Sequence, residues 1–236
     1  HEIVTPFHER REYILFLHGT ETPPIKQTEA IFTHRNRSFA FIEDMGEILA
    51  LALKKYFPLV KIRSLAHQIG LETDTQDELR FAEGYLSRII EKLQLLRLAE
   101  RSQDTLTALE PAAEWLSLDK ETRAVQLHRS LSLDSCERSV REAEKSIKRV
   151  LKKGWVYFDD FIKGVIVPLQ EGFSVMLKKS GKQWKYALPE YSEEDKTLIK
   201  SVVLDWLFEC GMTTTGLIDG KECFTVTPFG QIFFQD

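Results

Sequence analysis

The sequence has few cysteines, and neither its cysteines nor its histidines show metal-binding spacing. The three cysteines, Cys136, Cys210 and Cys223, form no CxxC pair. An odd number of widely separated cysteines is typical of a protein in a reducing compartment and predicts a cytoplasmic location. None of the six histidines stands in HxxxH or HExxH spacing, so neither a metal site nor any other cofactor is expected.

Long hydrophobic runs are also missing. The longest apolar stretch, residues 48–53, is far shorter than the roughly 18 residues that a membrane-spanning helix needs, so no membrane partner is expected. No signal peptide is recognisable. The chain begins at His1 and not at methionine, which fits a piece cut from a longer protein whose catalytic domain lies elsewhere.

Catalytic constellations are absent as well, and no enzymatic activity is expected. Gly216 and the Gly220-Lys221 pair hint at a phosphate-binding loop, but the spacing is one residue short and no serine or threonine follows the lysine. The adjacent carboxylates Asp159 and Asp160 stand at an expected helix start. There they complement the helix dipole, which explains them without catalysis.

The balance of charge excludes a protein that packages DNA. The chain has 32 Lys and Arg residues against 36 Asp and Glu residues, a net charge of −4. A packaging protein would be strongly basic. Any nucleic-acid surface on this chain is therefore expected to be a local patch.

A short signature occurs twice, about 117 residues apart. Residues 109–116 read LEPAAEWL and residues 226–233 read VTPFGQIF, and each copy follows a threonine-containing apolar run. A long amphipathic helix is expected before each copy. A helix, a hairpin and a chain that turns back into the core outline a winged-helix unit, and the repetition predicts a tandem arrangement. The expected fold is mainly α (α+β), with tandem winged-helix domains and small β-hairpin wings.

Residues 78–96 are predicted to form the main helix of the central unit. Their apolar side chains recur at three- and four-residue steps, which is typical of a helix with one buried face. The residues of that face, Leu79, Leu86, Ile89 and Leu93, are expected to pack in one core with Leu65, Ile69 and Trp115. The chain is predicted to form three domains, at residues 1–46, 47–133 and 134–236.

Three β-hairpins are expected. Residues 97–109 and residues 173–186 each read as a pair of strands, the second pair with Gly181 at its centre. The third hairpin is expected near the C-terminus, where Asp219 and Gly220 suit a tight type I′ turn. Phe224 and Val226 are predicted to face inward from it.

Two groups of basic residues are the candidate contacts to DNA. The first consists of Lys26, Arg35 and Arg37, which alternate with Phe32 and Phe39. Aromatic side chains among cations suit contact with a nucleic-acid backbone. Alternatively, this group belongs to a solvated loop that its phenylalanines anchor to the protein.

The second group is expected on one helix, capped by Asp134 and ended by Gly154. The helix carries seven cations, five of them in its C-terminal half: Arg138, Arg141, Lys145, Lys148, Arg149, Lys152 and Lys153. The helix macrodipole favours cations at that end, but seven exceed what the dipole requires. Phosphate contact and plain dipole compensation both remain open.

The two long helices next to the hairpins are poor candidates for reading bases. The helix at 78–96 offers Arg80 and Arg88 but also Glu83 and Glu91, which leaves it neutral on balance. The last long helix opens with three acidic residues, 193–195, which would repel phosphates. A helix in the major groove should present donors and little negative charge, so the C-terminal unit is expected to bind protein instead.

Residues 106–116 and the acidic helix start at 119–123 resemble bacterial helicase-associated winged-helix proteins. Residues 23–28 and the His34-Arg35 pair resemble a segment of the same family, although His34 departs from its usual Lys-Arg pair. That family is related to the TFIIH subunit that docks on an XPB-type translocase. The resemblance implies tandem winged helices that accompany a DNA-dependent motor and have no active site of their own.

The sequence therefore predicts a non-enzymatic nucleic-acid-binding or helicase-accessory module that contacts the DNA backbone. Its expected partners are DNA and a helicase or translocase. The alternative is a protein-interaction scaffold whose winged helices never touch DNA. If DNA binds, charge reversal of Arg35, Arg37, Lys148 and Arg149 should abolish binding without changing the thermal melt.

Overall fold

The computed structural model describes residues 4–54, 57–58, 62–103, 105–135, 138–169, 176–188 and 190–235. The chain is 57 % helical and its strands form only small antiparallel sheets, so the expectation of a mainly helical α+β protein is confirmed at this level. Within the described residues, no helix combines the length and the hydrophobicity that crossing a membrane requires.

The elements follow one another in a mostly helical order. The α-helices of the described chain are α1 (Val4–Gly19), α2 (Ala40–Lys54), α3 (Ile62–Gln68), α4 (Gln76–Leu95), α5 (Ala112–Ser117), α6 (Lys120–Ser135), α7 (Arg138–Lys145), α8 (Phe158–Lys163), α9 (Glu193–Lys200), α10 (Leu207–Glu209) and α11 (Pro228–Gln235). The strands are β1 (Phe57–Pro58), β2 (Ala99–Ser102), β3 (Thr105–Ala108), β4 (Val156–Tyr157), β5 (Met176–Ser180), β6 (Gln183–Ala187), β7 (Thr213–Ile218) and β8 (Lys221–Val226). Short 3₁₀ helices at Thr28–Ala30 and Ser146–Arg149 and a π-helical segment at Ser201–Trp206 complete the set.

The chain divides into two compact units. Unit 2 consists of residues 34–135 and 209–211, and unit 1 contains the other described residues, including the N-terminal stretch up to Thr33. The domain boundaries expected after residues 46 and 133 fall inside α2 and α6. Gly46 lies inside α2 and does not interrupt it. A Cβ at this position would come within 3.1 Å of the Arg123 guanidinium, so glycine suits the close packing there.

Unit 2 is built around a three-stranded antiparallel sheet. Its elements follow the order α2, β1, α3, α4, β2, β3, and its strands lie side by side in the order β1-β3-β2. A capping box at Thr75 and Glu78 fixes the start of α4, since each side chain bonds the backbone amide of the other residue. The hairpin expected at 97–109 is confirmed, although residue 104 at its tip lies outside the described residues.

The core of unit 2 is the one expected from the helical pattern. Leu86 and Ile89 of α4 are buried, and so is Trp115 of α5. On α2 the fully buried side chains include Phe41 and Met45. Leu93, Leu65 and Ile69 are buried as expected, whereas Leu79 in the first turn of α4 is only half-buried.

Replacing Leu86 by alanine should lower the free energy of unfolding by about 2–5 kcal/mol, because it leaves a cavity in this core. Leu53→Ala is the matched control, since Leu53 lies on a helix of the same unit and is exposed. Urea denaturation of both variants measures the difference. Equal losses in the two variants would mean that α4 does not pack as described.

Unit 1 has its own three-stranded antiparallel sheet. The order of elements is α7, β4, α8, α9 to α10, β7, β8, and the strands lie in the order β4-β8-β7. Unit 2 has the same order of elements and strands. Unit 1 differs in one respect, because the two-stranded hairpin β5–β6 is inserted between α8 and α9.

The C-terminal hairpin is confirmed in detail. Ile218 pairs with Lys221 across a two-residue turn, and both turn residues have positive φ, 49° at Asp219 and 74° at Gly220. Positive φ at both positions is what a type I′ turn requires. Phe224 and Val226 are buried, as expected.

The two units also share the backbone arrangement that leads into their hairpins. At each, the helix ends on a residue with positive φ, Arg97 (54°) or Gly211 (70°). The amide of the next residue, Leu98 or Met212, donates to the carbonyl five residues earlier at 2.9 or 2.8 Å. This is the bonding pattern of a Schellman-type helix end.

The signature sequences then close each hairpin in the same way. The Leu109 amide donates to the Leu98 carbonyl (2.8 Å), and the Thr227 amide donates to the Met212 carbonyl (3.0 Å). Each bond joins the residue that follows the second strand of the hairpin to the residue that precedes the first strand. A short helix, α5 or α11, begins at the signature proline or directly after it. The repeated sequence thus corresponds to a repeated local structure.

The helix expected from Asp134 to Gly154 is not formed. Asp134 lies within α6, because the apolar spacing of Ala124, Leu127 and Leu131 extends that helix past it. Residues 136 and 137, which would follow Asp134 in the expected helix, lie outside the described residues. Helix α7 ends at Lys145, a 3₁₀ helix follows, and Gly154 with φ 74° ends the segment.

Candidate nucleic-acid interface

Arg35 of the first basic group is a core residue and not a surface cation. Its guanidinium lies 2.7 Å from the Asp44 carboxylate, and the two side chains are 9 % and 0 % exposed. It also donates to the carbonyls of Ile69 and Gly70 and lies 5.7 Å from the centre of the Tyr85 ring. A side chain bound in this way has little surface to offer a phosphate, so the structure does not favour Arg35 as a DNA contact.

Asp44 is the partner that the sequence reading missed. It stands among apolar residues of α2, which is the signal that could have identified a buried carboxylate in need of a cation. The Tyr85 hydroxyl donates to it at 2.7 Å. Burial raises the pKa of Asp44 to about 6, while the bonds from Tyr85 and Arg35 oppose that rise.

The other two members of the first group are exposed but separate. Lys26 belongs to unit 1, whereas Arg37 belongs to unit 2 with Arg35. Arg37 lies 2.9 Å from Glu43, which Lys120 also contacts, so its charge is already compensated. The three cations therefore do not form a single patch within one unit.

Helix α4 presents an acidic surface. Arg88 and Lys92 lie 3.6 and 3.5 Å from the buried Glu209, which leaves Arg80 as the exposed basic residue expected there. The exposed acidic residues of the same helix are Asp77, Glu83 and Glu91. Phosphates would be repelled by this helix, although its sequence predicts a surface that is neutral on balance.

The second basic group divides into exposed and structural members. Arg141, Lys148 and Lys152 are exposed. Lys145 is exposed too, but it lies 2.7 Å from Glu142. These cations do not share one helix, since they are spread over α7, the 3₁₀ helix and the turn after it.

Arg149 is a structural residue of unit 1. It is half-buried and donates to the carbonyls of Thr20 and, at 3.4 Å, Phe161. Burial lowers the pKa of its guanidinium. Gly164 leaves the space for this side chain, because a Cβ there would lie 2.1 Å from the guanidinium. The structure therefore favours a structural role for Arg149 over a phosphate contact.

The hairpin β5–β6 is rich in basic residues, whereas the sequence analysis predicted only a pair of strands there. Residues 176–187 contain four lysines and no acidic residue. Lys179, Lys182 and Lys185 are exposed, and Lys178 lies 2.9 Å from Glu190. This segment, residues 176–187, is called the basic hairpin below. Its count of lysines was the signal that could have found it.

Large apolar side chains are exposed on the same hairpin. Trp184 is 58 % exposed and Leu177 is 56 % exposed, and Tyr186 is also exposed. Lys179 pairs with Trp184 and Leu177 pairs with Tyr186 in the register of the strands. Paired residues and residues two apart share a face, so all four side chains lie on one face of the hairpin.

Helix α1 connects the basic hairpin with the second basic group. The Tyr186 ring lies 5.3 Å from the ring of Phe16. Thr20 follows Phe16 by four residues, and its carbonyl accepts a hydrogen bond from Arg149. Four helical residues rise about 6 Å, so both attachments lie within roughly one turn at the C-terminal end of α1.

The exposed lysines of the hairpin give this surface a positive charge. Among the described residues, no group of three or more His, Cys, Asp or Glu side chains is placed to hold a metal ion. No family model matches the chain, and no curated protein or solved structure does. The functional argument therefore rests on the exposed lysines and the tryptophan of the basic hairpin.

Proposed function

We propose that this chain is a non-enzymatic nucleic-acid-binding module made of two winged-helix units. The order of elements in each unit supports the proposal, because a winged helix consists of a helix, a strand, two further helices and a hairpin that completes a three-stranded sheet. In the usual geometry of such units, the second helix of the helix-turn-helix enters the major groove. The helices in that position here are α4 and α9.

The basic hairpin is the observation on which the proposal depends. Three exposed lysines flank an exposed tryptophan on a hairpin without acidic residues. Surfaces that bind nucleic-acid strands combine cations along the backbone with aromatic rings on which bases stack. Arg141, Lys148, Lys152 and Lys26 are exposed cations of the same unit that can extend the contact with phosphates.

Base reading in the major groove is not part of the proposal. The exposed surface of α4 is acidic, and α9 begins with Glu193, Glu194 and Asp195. Contact is instead made with the backbone, which gives strong dependence on salt and weak preference for duplex sequence.

A helicase-accessory role is the setting that we propose for this binding. It rests on the resemblance of residues 106–116 and 119–123 to helicase-associated winged-helix proteins. A protein that accompanies a DNA-dependent motor meets strands that have just been separated, and an exposed tryptophan suits such strands. Cys210 and Cys223 are buried free thiols, which agrees with the proposed cytoplasmic location.

A protein-interaction scaffold is the second candidate, favoured by helix α1. Its residues Tyr13, Ile14, Leu15 and Leu17 are all exposed. Exposed apolar residues grouped in this way are typical of a surface that a partner protein covers. The partner would be a helicase or translocase, or another protein of the same complex.

An electrophoretic mobility shift separates the two candidates. The probes are one single-stranded oligonucleotide and its duplex, each at about 50 and about 200 mM salt, a range over which phosphate contacts lose much of their affinity. The proposal predicts a shift at low salt that weakens at the higher concentration. Absence of any shift at low salt would contradict it and favour the scaffold.

A further inference from the structure

The face of the basic hairpin that looks toward α1 lines an open cavity. Its volume is about 440 Å³, and its walls include Leu177, Trp184 and Tyr186 from the hairpin and Glu12 from α1. That volume falls within the roughly 300–1,000 Å³ of pockets that bind small molecules. The site belongs to unit 1 alone, so it needs no residue from unit 2.

The walls combine stacking surfaces with one hydrogen-bond acceptor. Trp184 and Tyr186 are two residues apart on one strand and therefore face the same side. The Tyr186 ring is held against Tyr13 and Phe16 of α1, with ring centres 6.3 and 5.3 Å away. The half-buried Glu12 places a carboxylate, which only accepts hydrogen bonds when ionised, beside these rings.

We propose that this cavity binds one unpaired nucleobase of a single strand and selects guanine. The inference rests on the proposed function and specifies the ligand of its hairpin. Trp184 supplies a ring on which the base stacks. The Glu12 carboxylate accepts from the two adjacent N–H donors on the Watson–Crick edge of guanine, whereas adenine and cytosine offer one amine and thymine only its imide N–H.

The surrounding charge favours a nucleotide over a cationic ligand. A pocket of two aromatic rings and a carboxylate can also hold an ammonium or guanidinium group. Lys179 pairs with Trp184 and shares its face, and Lys182 lies at the turn of the hairpin. These two exposed lysines repel a second cation but attract the phosphates on either side of a bound base.

Fluorescence anisotropy with labelled thymidine 12-mers tests the assignment. One central position is thymidine, guanosine, adenosine, cytidine or an abasic site. We expect the guanosine oligonucleotide to bind about tenfold more tightly than the thymidine one, because a bidentate base contact discriminates to this extent. Adenosine and cytidine should fall between them.

Two variants identify the residues responsible. Glu12→Gln should remove the advantage of guanosine while the all-thymidine oligonucleotide binds at least as well, since one negative charge is lost. Trp184→Ala should weaken every oligonucleotide by about tenfold through the loss of stacking. The matched controls are Glu21→Gln and Ile232→Ala, which alter exposed side chains of the same unit outside the cavity lining and should change neither property.

The oligonucleotide series distinguishes failure of the base site from failure of the proposed function. Equal affinity for all five oligonucleotides, with binding still dependent on the hairpin lysines, would overturn the base site and leave the proposed function standing. No binding of any oligonucleotide at low salt would overturn both. Tighter binding of an arginine-containing peptide than of every oligonucleotide would contradict the nucleobase assignment and identify a cationic partner.

Discussion

Replacing Arg35 by alanine should lower the free energy of unfolding by about 3–5 kcal/mol, the usual cost of removing one partner from a buried ion pair. Asp44 has no exposed surface, so it would keep a charge in the core with only the Tyr85 hydroxyl to stabilise it. The carbonyls of Ile69 and Gly70 would lose a donor as well.

The cost should depend on pH with a definite sign. Burial raises the pKa of Asp44 to about 6, and the guanidinium lowers it, so loss of Arg35 raises it further. A carboxyl with a raised pKa in the folded state binds its proton more tightly when folded, so stability falls as pH rises above its unfolded value of about 4. In the wild type this fall ends near pH 6, whereas in the variant it continues. The difference between the two proteins should therefore widen above pH 6.

Arg37→Ala is the matched control for this experiment. Arg37 is only two residues away, is 56 % exposed and pairs with Glu43 on the surface of the same unit. Exposed ion pairs contribute at most about 1 kcal/mol. Urea denaturation of the two variants at several pH values measures both effects. A loss for Arg35→Ala no larger than for Arg37→Ala would show that the buried pair does not form.

Reversing the charge of Lys179, Lys182 and Lys185 together should abolish binding to nucleic acid. The change replaces three attractive contacts with three repulsive ones at the centre of the proposed interface. All three side chains are exposed, so the thermal melt should stay nearly unchanged. Mobility shifts and a melting curve on the same preparation measure the two effects.

A control with the same change in net charge excludes a general electrostatic effect. Lys163, Lys196 and Lys200 lie in the same unit but each already has a carboxylate partner, Asp160, Glu193 or Glu222. Their reversal should weaken binding far less than reversal in the hairpin. Equal loss in both triple variants would mean that the hairpin has no special part in binding.

Much of the fold could be predicted because its signals are local. The turn at Asp219 and Gly220 needs only two residues that accept positive φ, and the helix that follows Ser192 begins with a capping box completed by Asp195. The buried face of α4 follows from its own spacing. The predicted start of the next helix at Asp134 was wrong, because the apolar spacing of α6 continues past Asp134 and outweighs its tendency to cap a helix.

The candidate site was harder to predict because exposure depends on distant contacts. Arg35 and Arg37 look alike in sequence, yet only Arg35 meets the buried Asp44. Arg149 is held by Thr20, which is 129 residues away along the chain. Charge reversal of Arg35 and Arg149 should therefore lower the stability of the protein, whereas reversal of Arg37 and Lys148 changes only its surface.

The salt dependence of binding to a single strand tests the central claim most directly. Each phosphate that the protein neutralises on a single strand adds about 0.7 to the slope of log affinity against log salt. If Lys179, Lys182 and Lys185 contact phosphates, their joint replacement by glutamine should reduce that slope by about 2. An unchanged slope in this variant, or wild-type binding that does not respond to salt, would contradict the account.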